Sequence, residues 1–206
     1  MWPNEERTAQ RAISTRSWTL SIAALATAFW FFPSLTDALI YDRAAIQAGE
    51  IWRLWSGHLV HFSASHFWLD GTAFLLCGWL LETRTHRSRP LYFLGAPAVI
   101  SLTLFAFVPD MARYGGLSAF VMATLVYIAL TIVRQGPVSI GWTVLVVLGA
   151  KTGYELIYRS SLFASLPSVS VAPASHLAGA AFGLLVAIAG VGKGTNSRRG
   201  AENAER

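Results

Sequence analysis

Residues 52–70 read Trp52-Arg53-Leu54-Trp55-Ser56-Gly57-His58-Leu59-Val60-His61-Phe62-Ser63-Ala64-Ser65-His66-Phe67-Trp68-Leu69-Asp70. This stretch opens a long apolar run, yet three of the chain's five histidines fall within the nine residues from His58 to His66. Ionisable groups are expensive in hydrocarbon, so inside an apolar segment they face the protein interior and mark a functional site by default. His66 and Asp70 stand four apart and share one face of a helix. On this segment alone two readings stay open: a pair that neutralises itself for packing or ion movement, or part of a reaction centre.

The surrounding chain decides what kind of protein holds this cluster. Of its 206 residues 54% are apolar and 13% charged, whereas a soluble domain carries about a quarter charged residues. That composition excludes an ordinary cytosolic enzyme. A spanning helix needs roughly 20 apolar residues, and six such runs are present: about Trp18–Leu35, Trp55–Leu81, Leu91–Val108, Leu117–Val133, Ile140–Tyr158 and Pro173–Val191. The first is too long for a signal-peptide core and lacks a small-residue cleavage site, so it reads as a signal anchor or first span. The expected fold is an all-α membrane protein, a bundle of six transmembrane helices over residues 17–191, with tails at 1–16 and 192–206, the latter disordered.

Charge placement orients the bundle. The net charge of +5 lies in clusters between the apolar runs, which is a topology signal and not a nucleic-acid footprint. With both termini cytoplasmic, the inside holds Arg7, Arg11, Arg16, Arg84, Arg87, Arg89, Arg134, Lys193, Arg198, Arg199 and Arg206. The outside holds Arg43, Arg53, Arg113, Lys151 and Arg159. Eleven against five is a positive-inside bias spread over every inside segment. The single cysteine, Cys77, lies in an apolar run and reads as a buried space-filler, so disulfide and metal arithmetic do not apply. No phosphate loop, zinc signature or nucleotide motif appears, and neither cofactor nor metal is expected.

Two further segments complete a candidate site. Tyr114-Gly115-Gly116-Leu117-Ser118-Ala119-Phe120 places glycines and a serine at a helix start, where free backbone N–H groups receive an anion or oxyanion; equally, Ser118 suits a plain helix cap. Ser175-His176-Leu177-Ala178-Gly179 begins the sixth run, and small residues at Gly179, Gly183 and Ala187 form a ridge for close helix approach. His176 precedes that ridge by three residues, on roughly the same face. Together these spacings fit a Ser–His pair in which the imidazole takes the hydroxyl proton and returns it to the leaving amine. The available oxyanion donors are the Ser118 N–H and the His66 side chain.

These residues resemble the rhomboid family of intramembrane serine proteases. The likeness covers Trp18 to Val191 and consists of Trp52-Arg53, His61-Phe-Ser-x-x-His66, Gly116-Leu117-Ser118 and His176-x-x-Gly179-x-x-x-Gly183. It implies Ser118 as nucleophile, His176 as base and His66 as an oxyanion holder, with Trp52-Arg53 in a loop lying partly in the membrane. The six-span form, short tails and Asp70 look most like the rhombosortase branch, associated with C-terminal Gly-Gly anchor signals of exported bacterial proteins. The implied partners are a transmembrane or C-terminal anchor segment of a substrate and the lipid bilayer, with no nucleic acid; the implied location is the bacterial inner membrane.

Three positions depart from the family pattern. Asp70 replaces an Asn that donates to the oxyanion, so either burial neutralises it or it pairs with His66. Ala119 replaces a glycine, a minor change, and Met122 replaces a Tyr that stacks on the histidine, leaving the orientation of His176 to packing at Gly179 and Gly183. His58 and His61 read as structural. His86, among Arg84, Arg87 and Arg89, reads as facing solvent or headgroups, and residues 166–173 as a mobile cap or a connector. The competing functions are a catalytically inactive relative that binds transmembrane helices, and a haem-binding or ion-conducting bundle using His58, His61, His66 and His176.

Overall fold

The computed structural model describes residues 17–84, 89–158 and 173–190. The tails, the basic segment around His86 and residues 166–172 lie outside that set. Six helices of 15 to 21 residues make the body: α1 (Ser17–Phe31), α5 (Ala64–Arg84), α6 (Arg89–Phe107), α7 (Ser118–Gln135), α8 (Val138–Tyr158) and α9 (Pro173–Ile188). Between α1 and α5 run the short helices α2 (Thr36–Leu39), α3 (Arg43–Gln47) and α4 (Arg53–Ser56) and two 3-10 turns, Pro33–Leu35 and Gly57–Leu59.

Helices α6, α7 and α8 are long and apolar enough to cross a membrane, and α1 joined to Pro33–Leu39 across a 98° bend makes a fourth. The bend sits where Pro33 removes a donor and disfavours helix at the residue before it. Helix α5 has the length, but His66, Asp70 and Glu82 dilute its apolar character; α9 is apolar but has 16 residues.

The apolar run expected from Trp55 does not form one helix. Trp55 lies within α4, which ends at Ser56; His58 lies in a 3-10 turn, Val60 is extended, and α5 starts only at Ala64. Arg53 explains the break. Its guanidinium donates to the carbonyls of Asp37 and Ile40 at 2.7 and 2.8 Å and pairs with Glu50 at 2.6 Å. The chain is thereby tied back onto the preceding connection before α5 can begin. The all-α expectation holds except for a two-residue antiparallel pairing of β1 (Tyr41–Asp42) with β2 (Arg113–Tyr114). That pairing fastens the connection between α1 and α5 to the segment leading into Ser118.

Helix α7 is central, packed against α5, α6, α8 and α9, and ten of its residues from Ala119 to Ala129 are buried. A two-residue Gly136-Pro137 link turns it into α8. Arg43 closes the far end of α6, donating to the carbonyls of Leu104 and Val108 at 3.0 and 2.8 Å while lying 4.8 Å over the Phe105 ring. Burial of Glu82 has a local cause too, since its Oε1 accepts the Thr19 backbone N–H at 2.6 Å near the start of α1.

Candidate active site

Ser118 is the first residue of α7, and it does not cap the helix. The cap position belongs to Leu117, which makes no side-chain capping bond. Gly116 precedes it with φ +119°, a left-handed conformation that glycine adopts without strain. A side chain there would also collide: an added Cβ would lie 2.6 Å from His66 Nε2 and 3.0 Å from Asp70 Oδ2. The His66–Asp70 face of α5 therefore rests on the backbone two residues before Ser118.

Around Asp70 Oδ2 two imidazoles converge, His66 Nε2 at 3.0 Å and His61 Nε2 at 3.6 Å. The contacts have the distance of ion pairs but not the alignment of hydrogen bonds, since Asp70 Oδ2 and His61 Nε2 have no hydrogen-bond partner among the described residues. Of the two readings for Asp70, pairing with His66 is the one this geometry matches. His61 Nδ1 faces the Leu59 carbonyl at 3.2 Å.

His58 does not join this cluster. Its Nε2 lies 3.1 Å from the Pro97 carbonyl and 3.0 Å from Ser101 Oγ, locking the connection before α5 onto α6. Complete burial, opposed by backbone contacts to Pro97 and Gly116, lowers its pKa from 6.5 to about 4, so it is neutral near pH 7.

The sixth-run histidine is brought to the start of α7 by its glycines. A Cβ on Gly179 would lie 2.1 Å from the Ala119 carbonyl oxygen, and one on Gly183 2.2 Å from that of Ala123. The helices α9 and α7 meet backbone to backbone, with His176 one turn before the contact at Ala119. Tyr114 spans the same junction, its hydroxyl interacting with the side chains of both Ser118 and Ser175 and donating to the Gly116 carbonyl at 2.9 Å. No hydrogen bond joins Ser118 to His176 among the described residues. Such bonds are commonly long until substrate closes the site.

His176 also has a partner that the sequence reading does not single out. Its Nδ1 lies 2.7 Å from Oε2 of Glu155, which is fully buried on α8. Glu155 Oε1 in turn accepts from Lys151 Nζ at 2.7 Å, and Lys151 Nζ stands 3.4 Å from His176 Nδ1. Lys151, counted above among the outside charges, is thus within α8 and half of an inward i,i+4 pair. The available signal was that pair of ionisable residues inside an apolar helix.

No group of three or more His, Cys, Asp or Glu able to hold a metal occurs among the described residues. A search of curated proteins returned no match. A family model described as "Rhomboid domain" matches residues 48–193, and members of that family are intramembrane serine proteases. With apolar helices packed about a serine at a helix start and a histidine on a glycine-faced neighbour, this multi-pass membrane protein belongs to the rhomboid family.

Proposed function

We propose that the protein is an active intramembrane serine protease in which Ser118 is the nucleophile and His176 its general base. The observation that carries this reading is the backbone contact of Gly179 on Ala119, with His176 one turn before it and Ser118 next to the contacted residue. In the reaction His176 Nε2 takes the Ser118 proton as Oγ attacks the scissile carbonyl. The oxyanion accepts from the Ser118 N–H and from His66, and the imidazolium returns its proton to the leaving amine. Water then cleaves the acyl-enzyme by the same steps in reverse. Asp70 acts on the oxyanion side, by holding His66.

The substrate is a transmembrane or C-terminal anchor segment of a membrane-tethered exported protein, cut where small residues let its helix open, because the scissile bond must leave its helical hydrogen bonds to reach Ser118. A Gly-Gly C-terminal signal is the substrate if the chain is of the rhombosortase branch. Six spans over 17–191, both termini cytoplasmic and a bacterial inner-membrane location complete the proposal, supported by the six helices and the positive-inside charges.

The test is labelling of the detergent-solubilised protein by a serine-reactive fluorophosphonate, with Ser118→Ala and His176→Ala as comparisons. Labelling of the wild type that both substitutions abolish is expected. A folded, monodisperse wild type that does not label defeats the protease reading in favour of an inactive relative that binds client helices.

A further inference from the structure

Glu155 is a fully buried carboxylate on α8 that bridges Lys151 on its own helix and His176 on α9. A carboxylate fully buried in the last turn of an apolar helix is costly, and its i,i+4 partner Lys151 would satisfy it as a closed pair. It does not stay closed. One oxygen, Oε1, is given to Lys151, and the other, Oε2, reaches to His176 Nδ1 on a helix 21 residues further along the chain, both at 2.7 Å.

Proton accounting sets the direction of that bond. An ammonium only donates and a carboxylate only accepts, so Nδ1–H donates to Oε2. Lys151 at 3.4 Å is then a charge neighbour of Nδ1 and not its donor. With its proton on Nδ1, the neutral imidazole has Nε2 free to accept, which is the tautomer a general base for Ser118 requires.

We propose that Glu155 is a positioning residue that converts the Ser118–His176 pair into a charge-compensated triad, with Lys151 as the counter-ion that keeps the carboxylate ionised in an apolar interior. This rests on the protease reading above. As Nε2 takes the Ser118 proton, the imidazolium forms against an existing carboxylate, and the Lys151–Glu155 pair leaves no net charge in the resting site. The charged groups in contact with His176 are Glu155 and Lys151, both from α8, and Ser175 adjoins it on its own helix.

The experiment measures the second-order rate of fluorophosphonate labelling between pH 5 and 10 for wild type, Ser118→Ala, Glu155→Gln, Lys151→Met and the double variant Lys151→Met/Glu155→Leu, with thermal melting of each. Glu155→Gln should label roughly 10²-fold or more slowly, with the acid-limb midpoint of what remains moved down by about one pH unit or more. Lys151→Met should move that midpoint up, since removal of a nearby cation favours the proton on the Glu155–His176 pair. The opposite shifts check that both charges face His176, and the loss of rate in Glu155→Gln at pH values above the midpoint separates positioning from charge alone. The double variant removes both charges together, should fold, and should label as slowly as Glu155→Gln. Labelling of Glu155→Gln or of the double variant within about threefold of wild type, with an unmoved midpoint, overturns the triad while leaving the protease reading intact. Absence of labelling in folded wild type defeats the protease reading itself, and the triad with it.

Discussion

Asp70 lies one helical turn from His66, where a bare negative charge would oppose a developing oxyanion. Its contacts with His61 and His66 at 3.6 and 3.0 Å spread that charge over two imidazoles. An asparagine amide can hold His66 through its oxygen without the charge, so Asp70→Asn should retain activity, read as fluorophosphonate labelling and substrate cleavage. Complete loss with normal expression would show that the carboxylate itself is needed. His58 offers a test by pH. Burial lowers its folded pKa from 6.5 to about 4, so the unfolded state binds the proton first as pH falls. The stabilisation is fully present above about pH 6.5 and is lost as pH drops toward 4, with a limiting slope of roughly 1.4 kcal/mol per pH unit. The melting temperature of wild type in detergent should fall between pH 6.5 and 4.5 more steeply than that of His58→Gln. Equal slopes would dismiss the role given to His58.

Helix α9 delivers His176 by shape. Because a Cβ on Gly179 would meet the Ala119 carbonyl at 2.1 Å, Gly179→Ala must push α9 off α7, costing about 1–3 kcal/mol and most of the Ser118 labelling. Glycines 149 and 153 on α8 meet nothing within 4 Å. Alanine at either should leave labelling unchanged and add up to about 1 kcal/mol of stability, because alanine favours helix. If Gly179→Ala behaved like those two, the close approach would have no functional weight. The connection before α5 depends on Arg53 in the same way: Arg53→Lys keeps the charge but loses the fork that serves Asp37, Ile40 and Glu50 at once. Thermal unfolding should register a loss of about 1–3 kcal/mol from carbonyls left without a donor.

For the molecule as a whole, orientation in the bilayer is the open quantity that charge can predict. Cys77 is the one cysteine of the sequence and is buried, so Cys77→Ala provides a background for single reporter cysteines. In intact spheroplasts an impermeant maleimide should label Asp37→Cys and Ala112→Cys, beside the β1–β2 pairing, but should label Gly136→Cys only after permeabilisation. The reverse pattern would invert the topology and place the start of α7 on the cytoplasmic side.

Much of this protein follows from local rules that the amino-acid order obeys without knowledge of the fold. The i,i+4 spacing of His66 and Asp70, the glycine before a helix-start serine and the small-residue ridge after His176 all depend on helical period and backbone sterics, which are properties of a few consecutive residues. The bundle class, too, was legible in the length of the apolar runs. The tertiary structure alone decided the rest. Where α5 begins was set by Arg53 binding carbonyls 13 and 16 residues earlier, a competition that an apolar run does not display. That Glu155 reaches His176 depends on how α8 is rotated against α9. Two helices of the same sequence can meet at many rotations, and packing of the whole bundle selects the one that turns a buried carboxylate toward the imidazole.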